Sequence, residues 1–380
     1  MPDRLCGKEQ EYGMRILPTK KFIASLPQGI LLPPEHLEYY LKEDSFTDWR
    51  RGFAQAIISN IMNSKIPNFS NGSDRIWLAN GSLIYIDLKC IVETATAECR
   101  AGSLDGLLQE KASELILNEA AQSVVAQRGI ESLTLYKNNV GPSGLGEDRF
   151  NEVTYGSHHN YSYLESKQVA VFQVLKSFLP VSIIFSGNGH VYKHRNNIMY
   201  ALSQRASHIT LAQSGATLDN RAIVTTRDES LMDRSTGLSR LHLISRDATR
   251  CEFQTWLVDT ITHLVLRLAE EGWKLPLNLS LSGPVTEMHA INLSLEVNLD
   301  YKAACWPFGV NRIDIFEYNK IFLDAAKQLS PLSEPEKLCL QEWERVLELL
   351  KARAFDQLVG ELDWVTKWWL LKKKMSKYFR

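Results

Sequence analysis

The chain has 380 residues, with 43 Lys and Arg against 44 Asp and Glu, a balance that excludes the basic field of a nucleic-acid-binding surface. Its length and apolar content suffice to build the core of one large domain or two. Six cysteines (Cys6, Cys90, Cys99, Cys251, Cys305, Cys339) form no CxxC pair; this excludes a zinc ribbon or disulfide framework and fits reduced thiols. With neither a charged-then-apolar leader nor a run of about 18 apolar residues, the sequence predicts a soluble cytoplasmic protein without nucleic-acid or membrane partners.

The stretch GKEQEYG, residues 7–13, places Glu9 and Glu11 two apart. On a strand they share a face, and they repel unless a cation lies between them or the face is wet. Residues 75–88 predict a hairpin: alternating runs flank Asn80-Gly81, the preferred type I′ pair, and deliver Asp87 at the end of the second strand. Residues 104–128 predict an amphipathic helix with Leu104, Leu107, Leu108, Leu115, Val124 and Val125 near one stripe and Gly129 as its stop. Residues 132–140 and 181–186 read as strands. Between them lie a Gly-rich loop and YGSHHNY at 155–161. Short strands are expected at 208–213, 221–227 and 240–246. A helix is expected at 252–271, with Gly272 as its cap. SEPE at 333–336 is a capping box opening a helix to about residue 353, and a last helix runs to about 372. Strands first and helices last predict α+β with an antiparallel sheet.

The polar residues at strand ends form one candidate constellation: Glu9, Glu11, Asp87, Glu93, Glu98, His158, His159, Arg205, Arg227, Asp228, Glu229, Arg240 and His242. Hard divalent cations take carboxylate oxygens, and a nucleoside triphosphate takes arginines. Singly, each residue also has a structural reading, such as a wet strand face, a turn-forming Asp or a charged turn.

In order along the chain, GKEQEYG, NGSLIYIDL with ETATAEC, LYKNNV with YGSHHNY, LSQRASHI, TTRDES with RLHLISRDA, NRIDIF at 311–316 and ELDWVTK at 361–367 resemble the Pup ligase and depupylase family. That family attaches or removes a prokaryotic ubiquitin-like protein. The resemblance implies a glutamine-synthetase-like curved antiparallel sheet cradle packed with helices, catalytic over 1–330, with residues 331–380 as C-terminal helices packed on it. It implies ATP and Mg²⁺ as cofactors, a carboxylate activated as an acyl phosphate, and an amine that attacks it. By the same resemblance, Glu9, Glu11, Glu93, His158 and His242 hold metal. Arg205, Arg227, Arg240 and His158 contact the nucleotide, Arg227 also aids catalysis, and Asp87 is the catalytic aspartate that helps deprotonate the amine.

The long loop of depupylases between the helix after AEC and the LYKNN strand is missing: Gly129 is followed almost directly by IESLTLYKNN, which favours the ligase branch. Other positions depart from the family. His159 stands where the family has glutamate in HENY, Ile91-Val92 replace His-Pro before Glu93, and RDEPHAD becomes RDESLMD at 227–233. An insert occupies 141–152, and the resemblance runs from about residue 7 to 372; the chain stops at Arg380, where family members continue into a small further domain. His159 reads either as a nitrogen ligand that moves metal preference toward Mn²⁺ or as a residue behind the ligands. The carboxylate partner is left open among a ubiquitin-like tail, a peptide and an amino acid, with a protein lysine as a candidate amine. Other readings are a biosynthetic amide ligase, a depupylase-type hydrolase and a non-catalytic pseudo-ligase. The tail KWWLLKKKMSKYFR is expected to dock its tryptophans, with its lysines suiting a helix C-terminus.

Overall fold

The protein is described by a computed structural model covering residues 4–24, 47–70, 72, 74–140, 154–194, 197–216, 220–227, 234–293, 299–307 and 311–375. In chain order the elements are β1 (Leu5–Leu17), α1 (Lys20–Ala24), α2 (Thr47–Met62), β2 (Asn68–Ser70), β3 (Arg75–Leu78), β4 (Leu83–Ile86), β5 (Val92–Ala95), β6 (Cys99–Arg100), α3 (Asp105–Arg128), β7 (Ser132–Tyr136), β8 (Ser157–Leu164), α4 (Gln168–Ser186), β9 (His190–His194), β10 (Asn197–Ala201), β11 (Leu211–Ser214), β12 (Ala222–Thr225), β13 (Leu238–Leu243), α5 (Glu252–Glu270), α6 (Pro284–Asn292), β14 (Lys302–Cys305), β15 (Asn311–Asp314), α7 (Ile315–Ala326), α8 (Glu334–Lys351) and α9 (Asp363–Met375). Two interleaved compact units result: one of residues 1–6, 99–104 and 158–380, the other of 7–98 and 105–157. The expected boundary at 330/331 falls inside the first of these.

In the second unit, residues 9–12 of β1 pair antiparallel with β5, which pairs with β4, then β3 and β2. Residues 13–17 of β1 pair with β7. Helices α2 and α3 cover the apolar face, where Ile57, Ile58, Ile76, Ile84, Val92, Leu117 and Val124 join one buried cluster. The hairpin at 75–88 forms as expected, with a different turn. Gly81 N–H donates to the Leu78 carbonyl at 2.9 Å and Leu78 N–H to the Ser82 carbonyl at 2.8 Å. Only Gly81 of the two takes a positive φ, +86°. Type I′ requires positive φ at both central residues, so this is a three-residue loop with a glycine bulge.

Helix α3 runs as expected, but most of the apolar stripe assigned to it does not face the core. Leu104, Leu108 and Leu115 are exposed, while Gly106, Glu110, Ser113, Leu117, Ala120, Ala121 and Val124 are buried. The buried set holds i, i+3, i+4 spacing and includes a carboxylate because two lysines meet it. Lys8 Nζ lies 2.8 Å from Glu110, and Lys137 bonds to Glu110 and, at 2.7 Å, to Glu114. Burial alone would push Glu110 up; the two ammonium groups outweigh it and hold the carboxyl well below its usual range.

In the first unit, β8, β13 and β12 are antiparallel neighbours, and β11 adds to β12 in parallel. The sheet is therefore mixed, not purely antiparallel as expected: a short stretch after β11 returns the chain to run alongside it. Residues 181–186 are not a strand but the end of α4. Pro180 interrupts the apolar run in sequence, and a short β-branched stretch cannot be told from a buried helix by pattern alone. Residues 165–186, spanning α4 and the turn before it, are long and apolar enough by length and composition to cross a membrane, yet most of that stretch is buried inside the unit. It packs with α5 and α7; Phe178 meets Phe322 and Trp343 with ring centroids 5.1 and 6.0 Å apart. The capping box at Ser333 forms as predicted, Ser333 and Glu336 each bonding the other's backbone. The insert at 141–152 and residues 228–233 lie outside the described residues.

Arg4, at the start of the chain, is buried and anchors the first unit. Its Nη2 lies 2.6 Å from Glu270, and its Nε donates to His263 Nδ1 at 3.2 Å. His263 Nε2 meets Glu336 at 3.1 Å, and Arg267 joins that carboxylate at 2.7 Å. The Arg4 bond makes Nδ1 an acceptor, so Nε2 carries the proton.

Candidate active site

Strand period places the carboxylates. Glu9 and Glu11 share a face of β1, as expected. Across the ladder Glu11 is opposite Glu93 on β5, and Glu93 is opposite Tyr85 on β4. Asp87 follows Tyr85 by two residues. Carboxylate oxygens of Glu11, Asp87 and Glu93 all lie within 4.8 Å of one another. Glu11 is held by Gly156, whose N–H donates to it at 2.6 Å, while Glu11 N–H donates back to the Gly156 carbonyl at 3.0 Å. A Cβ on Gly13 would lie 3.0 Å from the Tyr155 ring, so a side chain there would require the ring to give way by a few tenths of an ångström.

Glu93 is 3% exposed. Burial, followed by the charges of Glu11, Glu9 and Asp87, pushes its carboxyl up to about 9. Tyr85 bonds to Glu93, and burial, followed by the charges of Glu93, Glu9 and Asp87, pushes its phenol far up, so it stays a donor. Tyr85 was missed in the sequence reading, although Tyr85-x-Asp87 has the strand alternation that puts both on one face. Three carboxylates at this separation repel, and an all-oxygen donor set of this kind fits a hard divalent cation.

In the first unit, His158 and His242 stand edge to face with ring centroids 4.9 Å apart. The register explains the pair: His242 is opposite Asn160, which shares a face with His158. His159 points to the other face, opposite Leu243, and its Nδ1 lies 3.1 Å from Asp259 of α5. It therefore does not accompany His158. Arg240 is half-buried opposite Ser162. Arg227 is half-buried just past β12. Arg205 is 2% exposed, its N–H donating to Asp247 at 2.8 Å and its Nε to the Ile244 carbonyl at 2.9 Å. Glu98 is exposed, while Asp228 and Glu229 lie outside the described residues.

Order of elements, mixed sheet and packed helices define an α+β fold of the glutamine-synthetase-like class. A family model described as Pup-ligase protein matches residues 4–378: the chain belongs to the Pup-ligase family. Among curated relatives, a Pup–protein ligase of Saccharomonospora viridis is 30% identical over 318 residues, covering 80% of this chain and 66% of that protein. One of Actinosynnema mirum is 31% identical over 316 residues, with the same shares. The chain thus spans about two thirds of the length of these relatives. Among solved structures, the complex of the prokaryotic ubiquitin-like protein Pup with its ligase PafA superposes with TM-score 0.77 at 23% identity, over 100% of this chain and 70% of that one. The glutamate–cysteine ligase of Francisella tularensis in complex with AMP gives 0.52 at 10% identity, over 100% and 89%. At such identities these likenesses show the fold.

Proposed function

We propose that this chain is an ATP-dependent carboxylate–amine ligase of Pup-ligase type, acting in the cytoplasm. It phosphorylates a glutamate-like carboxylate and passes the acyl group to an amine. The observation that carries the reading is the trio of Glu11, Asp87 and Glu93, whose oxygens converge within 4.8 Å. Family membership supports it, as does the solved PafA structure that holds ADP. The relatives are named Pup–protein ligases, so the carboxylate of a ubiquitin-like tail and a protein lysine are the proposed substrates.

Glu9, Glu11 and Glu93 are the residues proposed to hold Mg²⁺, which when bound would neutralise phosphate oxygens. The Mn²⁺ option rested on His159 as a ligand, and His159 instead faces Asp259. His158 and His242 offer imidazole nitrogens to metal or phosphate. Arg227 and Arg240 are proposed for phosphate charge, with Arg227 also stabilising the transferring group. Arg205 would act through its terminal nitrogens, its Nε being engaged by the Ile244 carbonyl. Asp87 accepts the proton of the attacking amine, whose ordinary pKa of about 10.4 leaves it protonated at neutral pH.

The test uses Pup labelled with ¹⁸O in its carboxylate, together with ATP and an amine. One labelled oxygen per turnover should appear in inorganic phosphate, because the acyl phosphate passes its bridging oxygen to the departing phosphate. Unlabelled phosphate would sink the reading. Asp87→Asn should still bind nucleotide but lose amide formation by about 10²–10⁴-fold; full transfer in that variant would remove Asp87 from its role.

A further inference from the structure

Cys6 and Cys99 are directly opposite in the antiparallel pair of β1 and β6. Both belong to the first unit, and the chain leaves it after Cys6 and re-enters it at Cys99. Both are thiols, Cys6 half-buried and Cys99 buried. Opposed residues of an antiparallel pair share a face, with Cα atoms about 4.5–5.5 Å apart. That separation lies inside the roughly 4.4–6.8 Å that a disulfide takes. The surroundings hold this register firmly. Arg4 is fixed by Glu270, Ala101 N–H donates to the Arg4 carbonyl at 2.8 Å, and Leu5 N–H donates to Ser162 Oγ at 3.0 Å. No other two cysteines are in register among the described residues: Cys305 is opposite Asn311, and Cys339 is buried on α8.

A bulge marks the spot. Cys6 is opposite Cys99 and Glu9 is opposite Ala95, so the returning strand carries one residue more than β1 between these pairs. A bulge leaves the extra residue unpaired and increases the local twist. The bridge would close residues 7–98 into one covalent loop, and Glu9, Glu11, Asp87 and Glu93 all lie within it.

We infer that Cys6 and Cys99 form a reversible dithiol–disulfide switch that reacts with low-molecular-weight disulfides. The Cys6 thiolate, the more accessible of the two, attacks one sulfur of the small disulfide RSSR, breaking its S–S bond and releasing RS⁻. The Cys99 thiolate then attacks Cys6 sulfur in the mixed disulfide, releasing the second RS⁻. The two thiol protons pass to the two leaving thiolates, so the cysteine pair is oxidised by two electrons and RSSR is reduced to two RSH. In reduced compartments, disulfides of this kind are transient and regulatory. The inference does not depend on the ligase reading.

The full chain is incubated with excess oxidised glutathione, alkylated without reduction, digested and analysed by mass spectrometry. The expected result is a Cys6–Cys99 linked peptide and an intact mass lower by about 2 Da, two hydrogens having left. Dithiothreitol should reverse both changes. The link should persist when Cys90, Cys251, Cys305 and Cys339 are all changed to Ser, and fall at least about tenfold in urea, where the two residues end a long open loop. The oxidised chain should also melt above the reduced one, since the bridge constrains the unfolded state. Recovery of both cysteines as alkylated thiols, or of Cys6 as a glutathione adduct beside alkylated Cys99, would overturn the inference.

Discussion

Glu93 shows how strand register and burial together set the charge of one position. It is fixed between Glu11 and Tyr85 by strand register, and burial first, neighbouring carboxylates second, push it up to about 9. A carboxyl raised on folding holds its proton more tightly in the native state. Its contribution therefore opposes folding increasingly as pH rises from about 4.5 toward 9. Glu93→Gln is expected to melt at or above wild type at pH 8 without divalent cations, with the difference shrinking toward pH 5, and to lose the stabilisation that Mg²⁺ gives wild type. Thermal melts across pH with and without Mg²⁺ check both expectations. His159 makes the complementary case. Because it faces Asp259 and not His158, His159→Gln should lower stability by about 1–3 kcal/mol and leave the Mg²⁺ response of the melting temperature unchanged. At this scale, the sharing of a face by Glu9 and Glu11 was legible, since alternation is a property of the strand. Which of His158 and His159 shares a face with His242 was not, because adjacent strand residues always split between faces and the sequence does not say which face is which.

At the scale of elements, α3 and α4 show where pattern reading stops. On α3 the leucines suggest a core stripe, yet the buried face carries Glu110, which Lys8 and Lys137 clamp. Nothing local in the sequence announces that a lysine of β1 and one just past β7 will meet one helix position. Breaking such a buried group leaves uncompensated charge, at a cost of about 3–5 kcal/mol. Glu110→Gln should lose stability of that order in urea unfolding at pH 7. Because Glu110 is held below its usual range, its contribution is present above about pH 4.5 and fades as pH falls through its lowered native value, so the variant should also show a flatter acid limb. On α4 an apolar run broken by Pro180 hid a helix, whereas α5 and the Ser333 capping box were plain from periodicity and end signals. The hairpin was legible and its turn type was not, because Asn80-Gly81 suits two loop lengths and only the Leu78–Ser82 pairing decides between them.

Across the whole molecule, the ordered motifs carried the family while the contacts carry the partition. Residues 7–98 and 105–157 form one unit, and the remainder forms the other; such interleaving leaves no linker for composition to reveal. The α+β class followed from strands preceding helices, but the parallel β11 was hidden, since strand direction depends on where the chain returns. The central claim is that the carboxylates of β1 and β5, with Asp87 just past β4, prepare this chain to bind a nucleotide with a divalent cation. Calorimetric titration of ATP with Mg²⁺ into wild type and into the Glu11→Gln, Glu93→Gln double variant tests it most directly. Saturable Mg²⁺-dependent binding is expected in wild type, and its loss in a double variant that still unfolds cooperatively. Equal binding in both proteins, or none in wild type, would contradict it.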